Sequence, residues 1–168
     1  KGYEALREAA RIVWRSRPEV RFVAIGQRSW TSRIVPSWKD ERWVERGVVS
    51  ETEKAEAYAR ATVFAMPSLH ETFGHTYLEA WYAWRPIIAG DIPPIREIVR
   101  DGRDGLLVSQ DPHAIARAIL VLLGDPLRAR RMGESGRFRL QEKWTWELVA
   151  ERTERAYEAA VARRAALS

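Results

Sequence analysis

Short apolar segments alternate with longer segments of helical periodicity along most of the chain, and this alternation limits the fold more than any other feature of the sequence. The apolar segments predict strands at 20–25, 43–49, 63–66, 87–89 and 106–108. Strands that alternate with helices form parallel βαβ units, because each helical crossover returns the chain to the same edge of the sheet. We therefore expect an α/β fold in which helices cover both faces of a parallel sheet.

The segments between and after these strands carry helix-start signals. Ser50 is followed by Glu53 at the spacing of a capping box, and Thr145 is the expected N-cap of the last helix. A turn is expected at 91–94. The predicted helices are 3–15, 51–61, 74–84, 95–99, 111–123, 126–143 and 145–167. In the last helix the candidate buried residues are Leu148, Val149, Ala156 and Tyr157. We see no internal repeat or linker, so we expect one domain, 1–168, with a helical tail from about residue 126.

The composition argues against several classes of protein. The chain has no cysteine, which excludes disulfides and thiolate metal sites and is typical of a cytoplasmic protein. Its apolar runs are far shorter than the ~20 residues that span a bilayer. The three histidines, His70, His75 and His113, do not have the spacing of metal ligands, so we expect no metal site. The phosphate-binding glycine motifs of dinucleotide and P-loop folds are also absent.

The net charge of +5 comes from 24 arginines and four lysines against 23 acidic residues. Most of the arginines alternate with glutamates along helical faces, as at 151–155, which is typical of solvated helix surface rather than of nucleic-acid binding. A denser cluster leaves open a contact with a membrane or an acidic partner. It comprises Arg128, Arg130, Arg131, Arg137 and Arg139. The polar stretch 27–40 predicts an ordered surface loop, in which Trp30 and Trp38 are candidates for stacking on a sugar.

The segment 67–80 follows a predicted buried strand and runs into a helix that begins near Gly74. The first amide groups of a helix have no partner within the helix and lie at the positive end of its dipole. A glycine at that point lets a ligand approach the backbone closely. The segment therefore predicts a binding site for an anion such as a diphosphate.

Two glutamates flank this helix start. Glu71 and Glu79 are at most about 12 Å apart at ~1.5 Å of rise per residue, which is similar to the reach from a hexose to a ribose across a diphosphate. Carboxylates accept hydrogen bonds from vicinal hydroxyls, so we expect both on the sugars rather than on the phosphates. The residues alone leave a structural alternative open, in which Glu71 only favours the helix start and Glu79 is an exposed helix residue.

Together these residues resemble the donor domain of glycosyltransferase family 4, the C-terminal domain of the GT-B architecture. That family has a Pro-Ser, a glutamate before Phe-Gly and a second glutamate after seven intervening residues. They are Pro67-Ser68, Glu71, Phe73-Gly74 and Glu79-Ala80 here. The match extends over nearly the whole chain in the same order and spacing. Its other segments are Lys1-Gly2, Gly47-Val48-Val49, Pro86-Ile87-Ile88-Ala89, Glu97-Ile98-Val99, Asp101-Gly102, Gly105-Leu106-Leu107-Val108, Asp111-Pro112 and Trp144-Thr145-Trp146. The resemblance implies a Rossmann-like parallel sheet with helices on both faces.

The resemblance also implies an activity and the residues that carry it. The activity would be the retaining, metal-independent transfer of a hexose from a nucleoside-diphosphate sugar, without a further cofactor. Glu71 would face the donor hexose, and Lys1 would neutralise the departing diphosphate. Glu79 would bind the ribose hydroxyls. The backbone amides that meet the hexose and the diphosphate would be those around Phe73, Gly74, His75 and Thr76. Backbone groups of Val48 and Val49 would lie at the edge of the base.

Departures from the family pattern limit these expectations. The family's first strand of this domain and an arginine before Lys1 are missing, which predicts a gap in the middle of the sheet. The acceptor, a saccharide or a lipid, would bind to a preceding domain that is also missing. We therefore expect the chain alone to be inactive and the whole enzyme to be cytoplasmic or peripheral at the inner face of the membrane. Trp84-Arg85 and Pro93-Pro94 replace a small-Gly pair and a Gly-Gly turn of the family.

Two alternatives remain at this point. One is an epimerase or a phosphorylase of the same architecture, and the other is a non-catalytic nucleotide-binding module.

Overall fold

The structure, a computed structural model, describes residues 1–27 and 40–165. The strands are β1 (Phe22–Ile25), β2 (Trp43–Gly47), β3 (Phe64–Met66), β4 (Ile87–Gly90) and β5 (Gly105–Val108). The helices are α1 (Tyr3–Val13), α2 (Glu51–Arg60), α3 (His75–Tyr82), α4 (Pro93–Ile98), α5 (Pro112–Gly124), α6 (Pro126–Lys143) and α7 (Trp146–Ala165). The predicted strands and helices are therefore confirmed, with shifts at their ends. Trp30 and Trp38 lie outside the described residues.

The strands form two parallel sheets in the described part of the chain. β1 pairs with β2, and β4 lies between β3 and β5. The helices α2, α3 and α4 are the connections from β2 to β3, β3 to β4 and β4 to β5. No ladder joins the β1–β2 pair to the β3–β5 sheet among the described strands.

The three-stranded sheet is covered on both faces and contains the centre of the core. All four residues of β4 are buried. Ile88 packs in a cluster with residues of α1, α5 and α6, whereas Ile87 and Ala89 pack with residues of α3 and α4. Successive residues of a strand point to opposite faces, so β4 supplies both clusters at once.

In residues 1–27 and 40–165, helix packing on the two-stranded sheet is seen on one face. Phe22 and Trp43 pack against α1, and their rings are stacked with centroids 5.6 Å apart. On the other face Val23 is 55% and Ile25 37% exposed. The helix that follows these strands, α2, has no fully buried residue, so these two strands are less enclosed than β3 to β5.

Two prolines begin α4 instead of forming a turn. Pro93 and Pro94 are the first residues of the helix, and Ile92 is its extended N-cap. Proline suits this position because its fixed φ is helical and the N–H that it lacks has no partner in the first turn. The predicted turn at 91–94 is therefore wrong for its last two residues.

The last helix is exposed along most of its length. Thr145 is confirmed as its N-cap, since its Oγ1 accepts a hydrogen bond from the Leu148 backbone N–H at 3.3 Å. Leu148 is half-buried, but Val149 is 39% and Tyr157 71% exposed, and Ala156 is also exposed. Their predicted burial is wrong, because apolar spacing on a helix leads to burial only where another element packs against it. Among the described helices, none has both the length and the apolar character that crossing a bilayer requires.

A buried charged cluster ties α6 to the turn before β5. Asp104 is fully buried and accepts hydrogen bonds from Arg100 Nε at 2.6 Å and from Ser135 Oγ at 2.7 Å. Burial raises the pKa of Asp104, but the hydrogen bonds from Arg100 and Ser135 outweigh it and hold this pKa below its usual range. The cluster fixes α6 against the end of α4.

The arginine cluster predicted on the surface is divided by this packing. Arg139 is only 9% exposed and donates hydrogen bonds to the backbone oxygens of Ile98 and Glu97 at 2.7 and 3.1 Å. Arg137 lies over the ring of Tyr82, 4.1 Å from its centroid. The prediction of one exposed basic cluster is therefore wrong for these two arginines, because their guanidinium groups are used in packing α6.

Candidate functional site

The neighbouring parallel strands β3 and β4 end side by side at the same edge of the sheet. Met66 pairs with Ala89 in the parallel ladder, and the next residues, Pro67-Ser68, run beside Gly90. A Cβ atom built on Gly90 would lie 1.8 Å from the backbone oxygen of Ser68, so no side chain fits there. Both loops that leave this edge of the sheet therefore start from one closely packed point, which is where ligands bind in open α/β sheets.

The amino end of the chain packs against the same point. Gly2 has φ +74°, and a Cβ atom at this position would lie 2.3 Å from the Pro67 backbone oxygen. Gln110 donates a hydrogen bond from Nε2 to that oxygen at 2.7 Å. Glycine is required at position 2 because both the positive φ and the close approach exclude a side chain. This packing places Lys1 beside the loop after β3.

Lys1 and Glu71 form an ion pair across this junction. Lys1 Nζ donates to Glu71 Oε1, and Ser68 Oγ donates to the same oxygen at 3.2 Å. The Glu71 side chain is only 8% exposed, whereas that of Lys1 is 62% exposed. The structure therefore brings together the two residues that the sequence predicts to be catalytic, although 70 positions separate them. The ammonium group faces solvent, where it can meet a second anion.

The N-terminus of α3 begins at a glycine that the packing demands. Gly74 has φ +80°, and a Cβ atom at this position would lie 2.5 Å from the Tyr77 ring. The Tyr77 hydroxyl donates to the Met66 backbone oxygen at 2.6 Å, and burial raises its pKa to about 12. Tyr77 thus anchors the first turn of α3 to the end of β3. Among the described residues, no side-chain hydrogen bond caps this turn, so its positive end is available to an anion.

Aromatic packing positions the residues around this helix start. The Phe73 ring lies 5.1 Å from the His75 ring and 6.2 Å from the Trp144 ring, centroid to centroid. His75 is exposed, whereas Thr76 is half-buried and its Oγ1 lies 3.5 Å from the sulfur of Met66. Phe73 is therefore packed against Trp144, the C-cap of α6, at the beginning of the 73–76 segment.

Glu79 lies one turn further along α3 and is held from α2. Lys54 Nζ donates to Glu79 Oε1 at 3.0 Å, and Tyr58 Oη donates to Glu79 Oε2 at 2.9 Å. The Glu79 side chain is 36% exposed. Lys54 and Tyr58 are not among the site residues that the sequence predicts. Their spacing of four residues places them on one face of a helix, but the sequence does not show which residue that face meets.

Val48 and Val49 connect β2 to α2. Val48 is 78% exposed and Val49 half-buried. The capping box of Ser50 and Glu53, confirmed by hydrogen bonds in both directions, begins α2 directly after them. This loop therefore leads into the helix whose side chains reach Glu79, and Val48 presents an apolar surface to solvent.

An open cleft of about 450 Å³ lies beside Glu71. It is lined by Leu69, His70, Glu71, Thr72, Ile92, Pro93 and Pro94. The cleft therefore lies between the loops that follow β3 and β4, and α4 forms one of its walls. A second cavity, of about 280 Å³, lies at the opposite edge, where Arg42 pairs with Asp40 and stacks on Trp14. We interpret the second cavity as structural, because Arg42 and Asp40 in its wall pair with each other.

The donor groups in the described ranges do not form a metal centre. No three side chains of the His, Cys, Asp and Glu types are grouped so that they could hold a metal ion in residues 1–27 and 40–165. The charge that faces an anion at this site comes instead from Lys1 and the α3 helix terminus.

A family model described as "Glycosyl transferases group 1" matches residues 1–125. The chain belongs to the group 1 glycosyl transferases. The match covers β1 to β5 and all the candidate site residues, and it ends near the start of α6. The architecture is that of the C-terminal domain of GT-B glycosyltransferases, as the sequence predicts.

Among curated relatives of this glycosyl transferase, alpha-maltose-1-phosphate synthase of Mycolicibacterium smegmatis is 39% identical over 109 residues, which are 61% of this chain and 28% of the relative. The solved structure of sucrose-phosphate synthase from Thermosynechococcus elongatus superposes with a TM-score of 0.80 at 27% identity, over 95% of this chain and 43% of that one. Anabaena HepE, solved in complex with UDP and glucose, superposes with a TM-score of 0.79 at 18% identity, over 95% of this chain and 45% of that one. The chain thus spans less than half the length of these proteins.

Proposed function

We propose that these residues form the donor side of an enzyme that transfers a hexose from a nucleoside-diphosphate sugar to an acceptor, with retention of configuration and without a metal. The observation that carries the proposal is the uncapped N-terminus of α3 at Gly74, with the Lys1–Glu71 pair before it and Glu79 after it. Such a donor requires a binding site for its diphosphate, a cation that neutralises the diphosphate, and two carboxylates that accept from its hydroxyl groups.

The diphosphate would lie at the start of α3. The backbone amides around Phe73, Gly74, His75 and Thr76 would donate to its oxygens, and Lys1 would exchange part of its contact with Glu71 for a contact with phosphate. Charge grows on the diphosphate as its bond to the sugar breaks. Fixed amides and an ammonium group placed at that point stabilise the transition state more than the ground state.

The hexose would occupy the cleft between the loops after β3 and β4. Glu71 lines this cleft and is held by Ser68, so its second oxygen can accept from a sugar hydroxyl. The walls formed by Ile92, Pro93 and Pro94 are apolar, which suits the faces of a pyranose ring. The ribose would bind to Glu79, and the base would lie near Val48 and Val49.

The acceptor would be a saccharide or a lipid bound to a part of the enzyme outside these residues. Its hydroxyl oxygen would form the new bond to the anomeric carbon on the face that the diphosphate leaves, and the hydroxyl proton would pass to the departing diphosphate. As part of the same proposal, the enzyme is cytoplasmic or peripheral at the inner face of the membrane, where a nucleoside-diphosphate sugar would reach it.

The proposal is tested with the intact protein. Calorimetric titration with UDP-, GDP- and ADP-hexoses should give binding to at least one of them, and the preferred donor should then be converted in the presence of an acceptor. Proton NMR of the product should show the anomeric configuration of the donor, and the rate should be unchanged by EDTA. Failure of all these donors to bind would contradict the proposal. An epimerised sugar released without an acceptor, or a sugar phosphate formed with inorganic phosphate, would replace it with the corresponding same-architecture activity.

A further inference from the structure

The hydrogen bonds of Glu79 leave it a defined acceptor capacity. An ionised carboxylate offers about four lone-pair sites on its two oxygens. Lys54 occupies one site on Oε1 at 3.0 Å, and Tyr58 occupies one on Oε2 at 2.9 Å. Each oxygen therefore retains about one acceptor site, and both oxygens are fixed in place by groups from another helix. A pair of neighbouring acceptors in one plane is complementary to two vicinal hydroxyl groups.

The two residues that hold Glu79 are themselves fixed. The Tyr58 ring packs against Phe64 with centroids 5.4 Å apart, and its hydroxyl also lies 3.4 Å from the Thr76 backbone oxygen. Lys54 forms a second ion pair with Glu51, at 2.8 Å. Burial, and then the charge of Glu79, raises the pKa of Tyr58 far above its usual range, so the phenol remains a donor. The geometry is therefore a clamp of two donors on one carboxylate.

We propose that Tyr58 and Lys54 are positioning residues that orient the Glu79 carboxylate toward the 2′- and 3′-hydroxyls of a ribose, and that they set the preference of this site for a nucleotide with both hydroxyls. The inference rests on the proposed function, since it assumes that Glu79 binds the ribose of the donor. Without the clamp, Glu79 turns among several rotamers and must be ordered by the ligand, which weakens its bonds to the hydroxyls.

The experiment compares two probes on the intact protein. They are the nucleoside diphosphate that binds most tightly among UDP, GDP and ADP, and its 2′,3′-dideoxy analogue. The ratio of their dissociation constants measures what the two hydroxyls contribute, while all other contacts cancel. For the unsubstituted protein we expect a ratio of about tenfold or more, because the acceptor is charged.

Tyr58→Phe removes only the hydroxyl that bonds to Glu79 and keeps the packed ring. We expect it to lower the ratio to about threefold or less, with dideoxynucleotide affinity almost unchanged. Lys54→Met should lower the ratio in the same direction and leaves the packing of Tyr58 in place. The matched control is Tyr157→Phe on the exposed face of α7, which should retain the ratio of the unsubstituted protein.

The possible outcomes separate the inference from the proposed function. If the unsubstituted protein discriminates between the probes but both clamp variants keep or exceed its ratio, the positioning role is overturned and the donor site stands. If the unsubstituted protein binds both probes equally, Glu79 does not bind ribose and the inference fails with that assignment. If it binds no nucleoside diphosphate, the proposed function fails as well. A lower ratio in both variants, with thermal midpoints equal to that of the control, supports the inference.

Discussion

Replacing Gly74 by alanine is the substitution whose cost the structure defines best. An L-residue at φ +80° costs about 1–2 kcal/mol relative to glycine. The new Cβ atom would also lie 2.5 Å from Cδ2 and 2.7 Å from Cε2 of Tyr77, whose ring is fully buried and whose hydroxyl is bonded to the end of β3. Overpacking of this kind costs a further 1–3 kcal/mol or so. We therefore expect Gly74→Ala to lower the free energy of unfolding by about 2–5 kcal/mol.

A second glycine isolates the steric part of this cost. Gly102 has φ +72°, but a Cβ atom there would meet nothing within 4 Å. Gly102→Ala should therefore lose only the conformational contribution of about 1–2 kcal/mol. The assay is denaturant unfolding of the intact protein and both variants, with nucleotide binding measured in parallel. Gly74→Ala should be the less stable variant and should bind nucleoside diphosphate more weakly, because α3 starts at the displaced residue. Equal stability of the two variants would refute this account of the helix start.

Three further predictions test other parts of the structure. Glu71→Gln should lower kcat of the intact enzyme by about tenfold or more, because it removes the charge paired with Lys1. The control, Glu56→Gln on the exposed helix α2, should leave kcat unchanged. Equal kcat values for the two variants would count against the role of Glu71. Asp104→Asn should destabilise the fold by about 3–5 kcal/mol at neutral pH. Because folding lowers the pKa of Asp104, the ionised side chain stabilises the fold fully above the pKa of the unfolded state. This advantage over Asn is lost as pH falls through the folded pKa. If the difference in free energy of unfolding between the two proteins does not shrink as pH falls from 5 to about 3, the prediction is contradicted. Trp84→Gly should be more stable than Trp84→Ala by about 1 kcal/mol. Both variants lose the contact with Arg137, but only glycine adopts the φ of +62° without strain. A higher melting temperature for the alanine variant would exclude this explanation.

The sequence predicts the order of elements because local patterns determine each of them. The capping box at Ser50 and the N-cap at Thr145 act within one turn, and the buried strand at Ile87–Gly90 is apolar at every position before its glycine. The resemblance of the 67–80 segment to a known family then predicts Glu71 and Glu79 as site residues. These predictions use only residues that are close in the sequence or a motif shared with a known family. They can therefore be made before the three-dimensional packing is known.

Contacts between distant elements could not be predicted in the same way. Tyr58 and Lys54 meet Glu79 only because α2 packs beside α3, and Arg139 is buried only because α6 covers the end of α4. Conversely, Val149 and Tyr157 have helical apolar spacing but no packing partner among the described residues. Periodicity indicates which face of a helix is apolar, whereas burial depends on what lies opposite that face.

The most direct test of the central claim is a crystal structure of the intact protein with its preferred nucleoside diphosphate. We expect diphosphate oxygens within hydrogen-bond distance of the backbone amides between Gly74 and Thr76, the Lys1 ammonium group on the same phosphates, and both ribose hydroxyls on Glu79. A nucleotide whose phosphates lie away from the start of α3, or an α3 terminus occupied by protein atoms in the complex, would contradict it.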